Sequence, residues 1–219
     1  MTARFLHSDP VTTSMSLRDR KKLATRGALS NTAFRLLLEQ GIDAVTPEAV
    51  AEAVGVSPRT FRNYFSCREE AVFDGLVLRA GSMVDALRAR PAGEPVWDSL
   101  LAVLPAHFAE IMGNRHDVSV LRCVVLDNAA MFAQNLTAFE RIDRLMAETI
   151  AERTGRDVDA DLEPALLASC AGVALRTAVD AWSTRNDDVP LAELVTEALG
   201  KLRQGLPIGN EAGRLRSTA

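Results

Sequence analysis

Aromatic side chains are scarce in this chain: eight phenylalanines, two tryptophans and one tyrosine, 5% of 219 residues. A core must therefore be aliphatic, and a hydrophobic content of 47% is ample for one. Cysteine is rarer still, with Cys67, Cys123 and Cys170 far apart and odd in number. Such a set forms no zinc pattern and suits a reducing cytoplasm; apolar neighbours suggest that Cys123 and Cys170 are inert buried thiols. The three histidines, His7, His107 and His116, are scattered. No nucleophile elbow, phosphate-binding glycine loop or metal-ligand spacing is present, so neither catalysis nor a cofactor or metal is expected. No apolar run approaches the 18 or more uncharged residues of a membrane span, and the N-terminus lacks a signal-peptide core. Alternating, strand-like segments are missing as well. The missing strand pattern points to an all-α fold, and the cysteine usage to the cytoplasm.

What is present is helical periodicity with clear stops. Residues 1–16 lack it and read as a disordered tail. A helix is predicted from about Leu17 to Gln40, with Leu29, Ala33, Leu36 and Leu37 on one stripe, ended by Gly41. Thr46-Pro47 and Ser57-Pro58 each pair an N-cap with the residue best suited to the first helical position. Gly55 supplies a left-handed stop between them. Ser66-Cys67-Arg68-Glu69 reads as a capping box for a long helix from about Cys67 to Arg90. After the Pro91–Pro95 break, further helices are predicted over Val96–Met112, 116–127 and about 131–154. Asp161 is expected to cap one running to about Trp182, and Pro190 to start another reaching about Gly205. The division is a head at 17–66, a larger helical domain at 67–206 and a tail at 207–219.

Two short helices joined by a turn of about three residues match a helix-turn-helix, whose second helix enters a DNA major groove. Val50, Ala51 and Val54 give the first of these helices its inner face, while Phe61 and Phe65 plug the small core from the second. That leaves Arg59, Thr60, Arg62, Asn63 and Tyr64 outside. Arginine can pair bidentately with guanine, asparagine with adenine, and the threonine methyl can meet that of thymine, so Arg59, Thr60 and Asn63 are the candidate base readers. Tyr64 and Arg68 are candidate phosphate clamps, Arg68 beside the free N–H groups of a helix start. Thr46 and Ser57 are caps first and candidate backbone contacts second. The net charge of −4 hides an asymmetry: residues 1–70 carry 10 Lys/Arg against 8 Asp/Glu. Arg18, Arg20, Lys21, Lys22 and Arg26 face only Asp19, a local excess suited to phosphates.

With the preceding helix included, Thr25-Arg26, Glu39-Gln40-Gly41, Val45-Thr46, the run from Val50 to Phe61, Tyr64-Phe65 and Arg68-Glu69-Glu70 resemble the N-terminal domain of TetR-family transcriptional regulators. The resemblance spans roughly residues 18–75. Two positions depart from the pattern: Arg62 stands where tyrosine is usual, and Arg68 where lysine is. Arg62 thereby becomes a candidate for either a phosphate or a base edge. The resemblance implies a homodimer on palindromic operator DNA, most often a repressor, released by a small hydrophobic or amphipathic effector. An architectural DNA-binding protein without an effector is the alternative.

The later portion, around Ala147–Gly155 and Trp182, is similar to the ligand domains of mycofactocin-system regulators, a subgroup with acyl-CoA-responsive members. That leaves the effector open between an acyl-CoA-like molecule and another hydrophobic compound. Phe108, Met112, Leu121, Val125, Met131, Phe132, Leu136 and Leu145 are candidate cavity walls. Arg122 and Cys170 are candidate polar anchors, and Arg176 could meet either Asp180 or an acidic ligand. The stretch 161–182 is apolar nearly all round and rich in small residues, so it and 190–205 are the expected dimer pair.

Overall fold

Ser16 opens the first helix by accepting a hydrogen bond from the Asp19 N–H at 3.1 Å. The computed structural model describes residues 16–185 and 188–206. Both expected tails and His7 lie outside those residues, apart from Ser16. Helix α1, Leu17–Gln40, buries Leu29, Ala33, Leu36 and Leu37 as its spacing predicts. Gly41, at φ 85°, ends it and feeds a short 3-10 turn, Ile42–Ala44, which the periodicity does not reveal.

Helix α2, Pro47–Val54, and helix α3, Pro58–Tyr64, begin as their Ser/Thr-Pro pairs foretell. Thr46 Oγ1 accepts from Ala49 N and Ser57 Oγ from Thr60 N, each at 3.1 Å. Gly55 takes the left-handed conformation (φ 77°, ψ 32°) that a side chain would resist. Phe61 and Phe65 are buried with ring centroids 5.4 Å apart. They hold α3 against α1 and α2; truncating either to alanine should cost about 3–5 kcal/mol.

Helix α4, Arg68–Arg88, starts one residue later than its expected capping box. Cys67 is the N-cap, its Sγ 3.4 Å from Glu70 N, and the Glu70 carboxylate reaches back to Ser66 N at 2.8 Å. Glu70 therefore takes the part assigned to Glu69. Beyond α4 come α5 (Val96–Met112), α6 (Arg115–Asp127), α7 (Ala129–Thr154), α8 (Leu162–Thr184) and α9 (Leu191–Arg203). Asp161 precedes α8 but its carboxylate does not cap it; Oδ2 accepts instead from Asp157 N at 2.9 Å. All regular structure among the described residues is helical.

Helix α4 is the central strut. It packs on α1 at the head and on α5 and α7 in the larger domain. Ser30 Oγ on α1 donates to the Ala71 carbonyl on α4 at 2.6 Å, deep in the contact. At the far end Arg153 of α7 donates to the carbonyls of Leu87, Arg90 and Pro91, fastening the turn that follows α4. Helix α8 is long and apolar enough to cross a membrane by length and composition. Here it packs on α6, α7 and α9, burying Ala168, Ala171, Ala174, Leu175 and Ala178. Its outer row, Leu162, Leu166 and Val173, is left at least half exposed.

Candidate nucleic-acid interface and ligand cavity

Because Phe61 and Phe65 face inward, Arg59, Arg62 and Asn63 of α3 are turned outward. Arg59 and Asn63 are exposed and, among the described residues, make no ion pair or side-chain hydrogen bond. Thr60 is half-buried, its hydroxyl 2.9 Å from that of Ser57. Arg62 is exposed and meets Glu48 of α2 at 2.6 Å. Such an exposed pair is worth about 0–1 kcal/mol, so it can open to a phosphate or a base. Tyr64 is half-buried beside Phe65, with ring centroids 6.4 Å apart. Arg18, Arg20, Lys21 and Lys22 are exposed on the first turns of α1.

Two basic residues are placed differently from expectation. Arg68 does not stand free at a helix start: it donates to the Ile42 carbonyl at 3.1 Å and pairs with Asp43 at 3.3 Å and Glu69 at 3.0 Å. Its guanidinium ties the 3-10 turn to α4, so a simple phosphate clamp is not what the geometry offers. Arg26 leaves the basic footprint altogether. Its Nε and Nη2 bond the two carboxylate oxygens of Asp74, each at 2.6 Å, and its guanidinium lies 5.1 Å over the Phe65 ring. The bond to Asp74, opposed by burial, raises the arginine pKa further. The Asp74 side chain is fully buried and also meets Arg141 of α7 at 3.4 Å. One carboxylate thus joins α1, α4 and α7, a junction with no local sequence signal because its partners are 48 and 67 residues away.

Behind the head, α1, α4, α5, α6, α7 and α8 border a cavity of about 290 Å³. That lies near the lower end of the roughly 300–1,000 Å³ typical of small-molecule pockets. Met112, Leu121, Arg122, Val125, Phe132 and Arg176 border it. Phe108 borders a much smaller neighbouring void. Leu136 is 52% exposed and lies outside both, Met131 is fully buried in the core, and Leu145 borders an open groove on α7. Cys170 is half-buried away from the cavity, and Cys123, expected to be buried, is exposed. Arg176 and Asp180 do not pair with each other. Arg176 Nη1 is 3.6 Å from Asp143 of α7, and Asp180 meets Arg122 at 3.3 Å. Gly172 permits the first of these contacts, since a Cβ there would sit 2.3 Å from Asp143 Oδ1. Burial raises the Asp143 pKa, opposed by Arg176.

The residue pattern does not find Phe34 of α1 or Val72, Phe73, Leu76 and Arg79 of α4, all of which border the cavity. Their periodicity is that of ordinary core, which hides a wall. No group of three or more His, Cys, Asp or Glu among the described residues is arranged to hold a metal ion.

Residues 29–72 match the family described as "Bacterial regulatory proteins, tetR family", and residues 94–207 match "MftR C-terminal domain". The chain is 30% identical over 203 residues to the HTH-type transcriptional regulator TcmR of Streptomyces glaucescens, covering 87% of this chain and 88% of that protein. It is similar in fold to Thermus thermophilus FadR, a transcriptional repressor solved with lauroyl-CoA (TM-score 0.56, 19% identity, 84% of this chain and 95% of that one). The fatty acid degradation regulator FadR of Bacillus halodurans gives a TM-score of 0.55 at 19% identity, over 83% and 96% of the two chains.

Proposed function

We propose, for a chain that belongs to the TetR family of transcriptional regulators, that it represses transcription from a palindromic operator and is released by a small effector. Members of this family are DNA-binding regulators, not enzymes. Two protomers would set their α3 helices in successive major grooves, about 34–36 Å apart. Arg59, Asn63 and Thr60 would read bases, with Arg62 and Tyr64 beside them. Thr46, Ser57 and the exposed cations at the start of α1 would hold the backbone. The dimer would form through α8 and α9, where Leu162, Leu166 and Val173 leave an apolar row without cover. The site of action is the cytoplasm, where the operator is.

The observation that carries this reading is the course of α4. Its start is fastened to the head through Asp74 and Ser30's partner Ala71, and the same half of the helix borders the cavity with Val72, Phe73, Leu76 and Arg79. A guest that favours one placement of α4 must also favour one placement of the head, and only such differential affinity can shift the equilibrium. The void also disfavours the architectural alternative, for which a solid core would suffice.

The test is fluorescence anisotropy with duplexes from the intergenic region beside the gene and with random duplexes. Wild type is expected to prefer one palindrome, and Arg59→Ala to lower that preference by roughly 1–3 kcal/mol while leaving random-sequence binding nearly intact. Equal affinity of both proteins for every duplex rejects the assignment.

A further inference from the structure

Three guanidiniums border the cavity: Arg79 of α4, Arg122 of α6 and Arg176 of α8. Two of them already face anions. Arg122 has Asp180, and Arg176 has Asp143 together with the face of the Phe139 ring, 5.3 Å away. Arg79 is different. Among the described residues it pairs with no carboxylate, and its side-chain hydrogen bond is to the neutral Oδ1 of Asn31 at 3.3 Å. Three cations against two anions leave one positive charge unanswered at the cavity rim. Although part of Arg79 is open to solvent, the apolar wall around it pushes its pKa down by desolvation. An arginine nonetheless stays charged at neutral pH.

We propose, resting on the effector reading above, that the effector is a small organic anion whose acidic group binds Arg79 while its apolar body lies among Phe73, Leu76, Met112 and Leu121. The wall chemistry fits this division. Phenylalanine, leucine and methionine take an apolar body, and a guanidinium fork matches the oxygens of a carboxylate or sulfonate. The binding also reaches the head. Asn31, the present partner of Arg79, lies on α1, where α1 and α4 are pressed close: a Cβ added at Gly75 would sit 2.9 Å from Ser30 Oγ and 3.4 Å from Asn31 Oδ1. An anion competes for the guanidinium with a charge-to-charge, two-pronged contact, against a single 3.3 Å bond to an uncharged amide oxygen. Arg79 then turns from α1 toward the guest, loosening α1 on α4.

Two fluorescent dyes with one aromatic skeleton separate charge from shape: 1-anilinonaphthalene-8-sulfonate, an anion, and N-phenyl-1-naphthylamine, which is neutral. Titrated into the full-length protein, both are expected to bind, the anion more tightly. Arg79→Gln is expected to weaken the anion about tenfold or more and the neutral dye less than twofold, with Arg79→Lys restoring part of the loss. Leu121→Trp, which fills the cavity, should remove both. Loss of both dyes to the same extent in Arg79→Gln, or of neither, overturns the anion assignment and leaves the cavity reading standing. If neither dye binds wild type, or Leu121→Trp changes neither, the cavity reading falls with it.

Discussion

At the scale of single residues, the domain is held by arginines more than by any other polar side chain. Arg153 bonds three carbonyls and the Ser99 hydroxyl at the turn after α4, and next to it Glu94 receives Arg90 Nε at 2.8 Å and Ser99 Oγ at 2.6 Å. Arg90 first, and Ser99 after it, hold the Glu94 carboxyl at about 2, against an ordinary 4.5. A carboxyl depressed on folding stabilises the fold fully above its unfolded pKa. It ceases to do so as pH falls through the folded one. The Glu94 contribution should therefore be complete above pH 4.5 and disappear between there and about pH 2. Glu94→Gln should flatten that part of the stability curve in urea melts taken from pH 6 to 2.5. A curve unchanged in shape would show that the cluster is loose in solution.

Between elements, the Asp74 junction is the contact with most at stake. Its carboxylate is fully buried and serves Arg26 and Arg141 from two other helices. Removing one member of a buried pair strands the other, so Asp74→Ala should cost about 3 kcal/mol by urea denaturation. The double change Asp74→Leu with Arg26→Met should recover much of that, because apolar side chains of similar volume need no partner. A single variant within 0.5 kcal/mol of wild type would make the junction incidental. Element-scale features also mark what a sequence can reveal. Thr46-Pro47, Gly55 and Ser57-Pro58 act on neighbours within four residues, and each appears where it is expected. Ser66–Glu69 misleads by one position because Cys67 can cap as serine does. The duties of Arg26 and Arg68 were hidden, since a cation bound to a distant carboxylate looks in sequence like one awaiting a phosphate. Leu136 and Cys170 had the composition of a cavity wall, but helix rotation carried both away from it.

For the whole molecule, the proposed dimer and the single chain's surface belong together. Leu162, Leu166 and Val173 form an outward row on α8, and Val173 borders a shallow groove with Leu194, Ala198 and Leu202. An apolar strip of this kind is where the proposed dimer would close. Val173→Glu should raise the dimer dissociation constant at least tenfold in sedimentation velocity and weaken operator binding with it, leaving the helical content unchanged. An unaltered dimer would move the interface elsewhere. Fold class and head were legible because glycine and proline punctuate locally. The cavity was half legible, through its α5, α6, α7 and α8 walls, while the α1 and α4 walls read as ordinary core.

Phe34 sits on α1, a helix of the head, yet it also borders the cavity. Anyone recasting this scaffold as a biosensor would meet a trade-off at that position. Trimming the ring to admit a bulkier inducer also unseats α1, so leakiness in the uninduced state should climb as the range of accepted compounds widens.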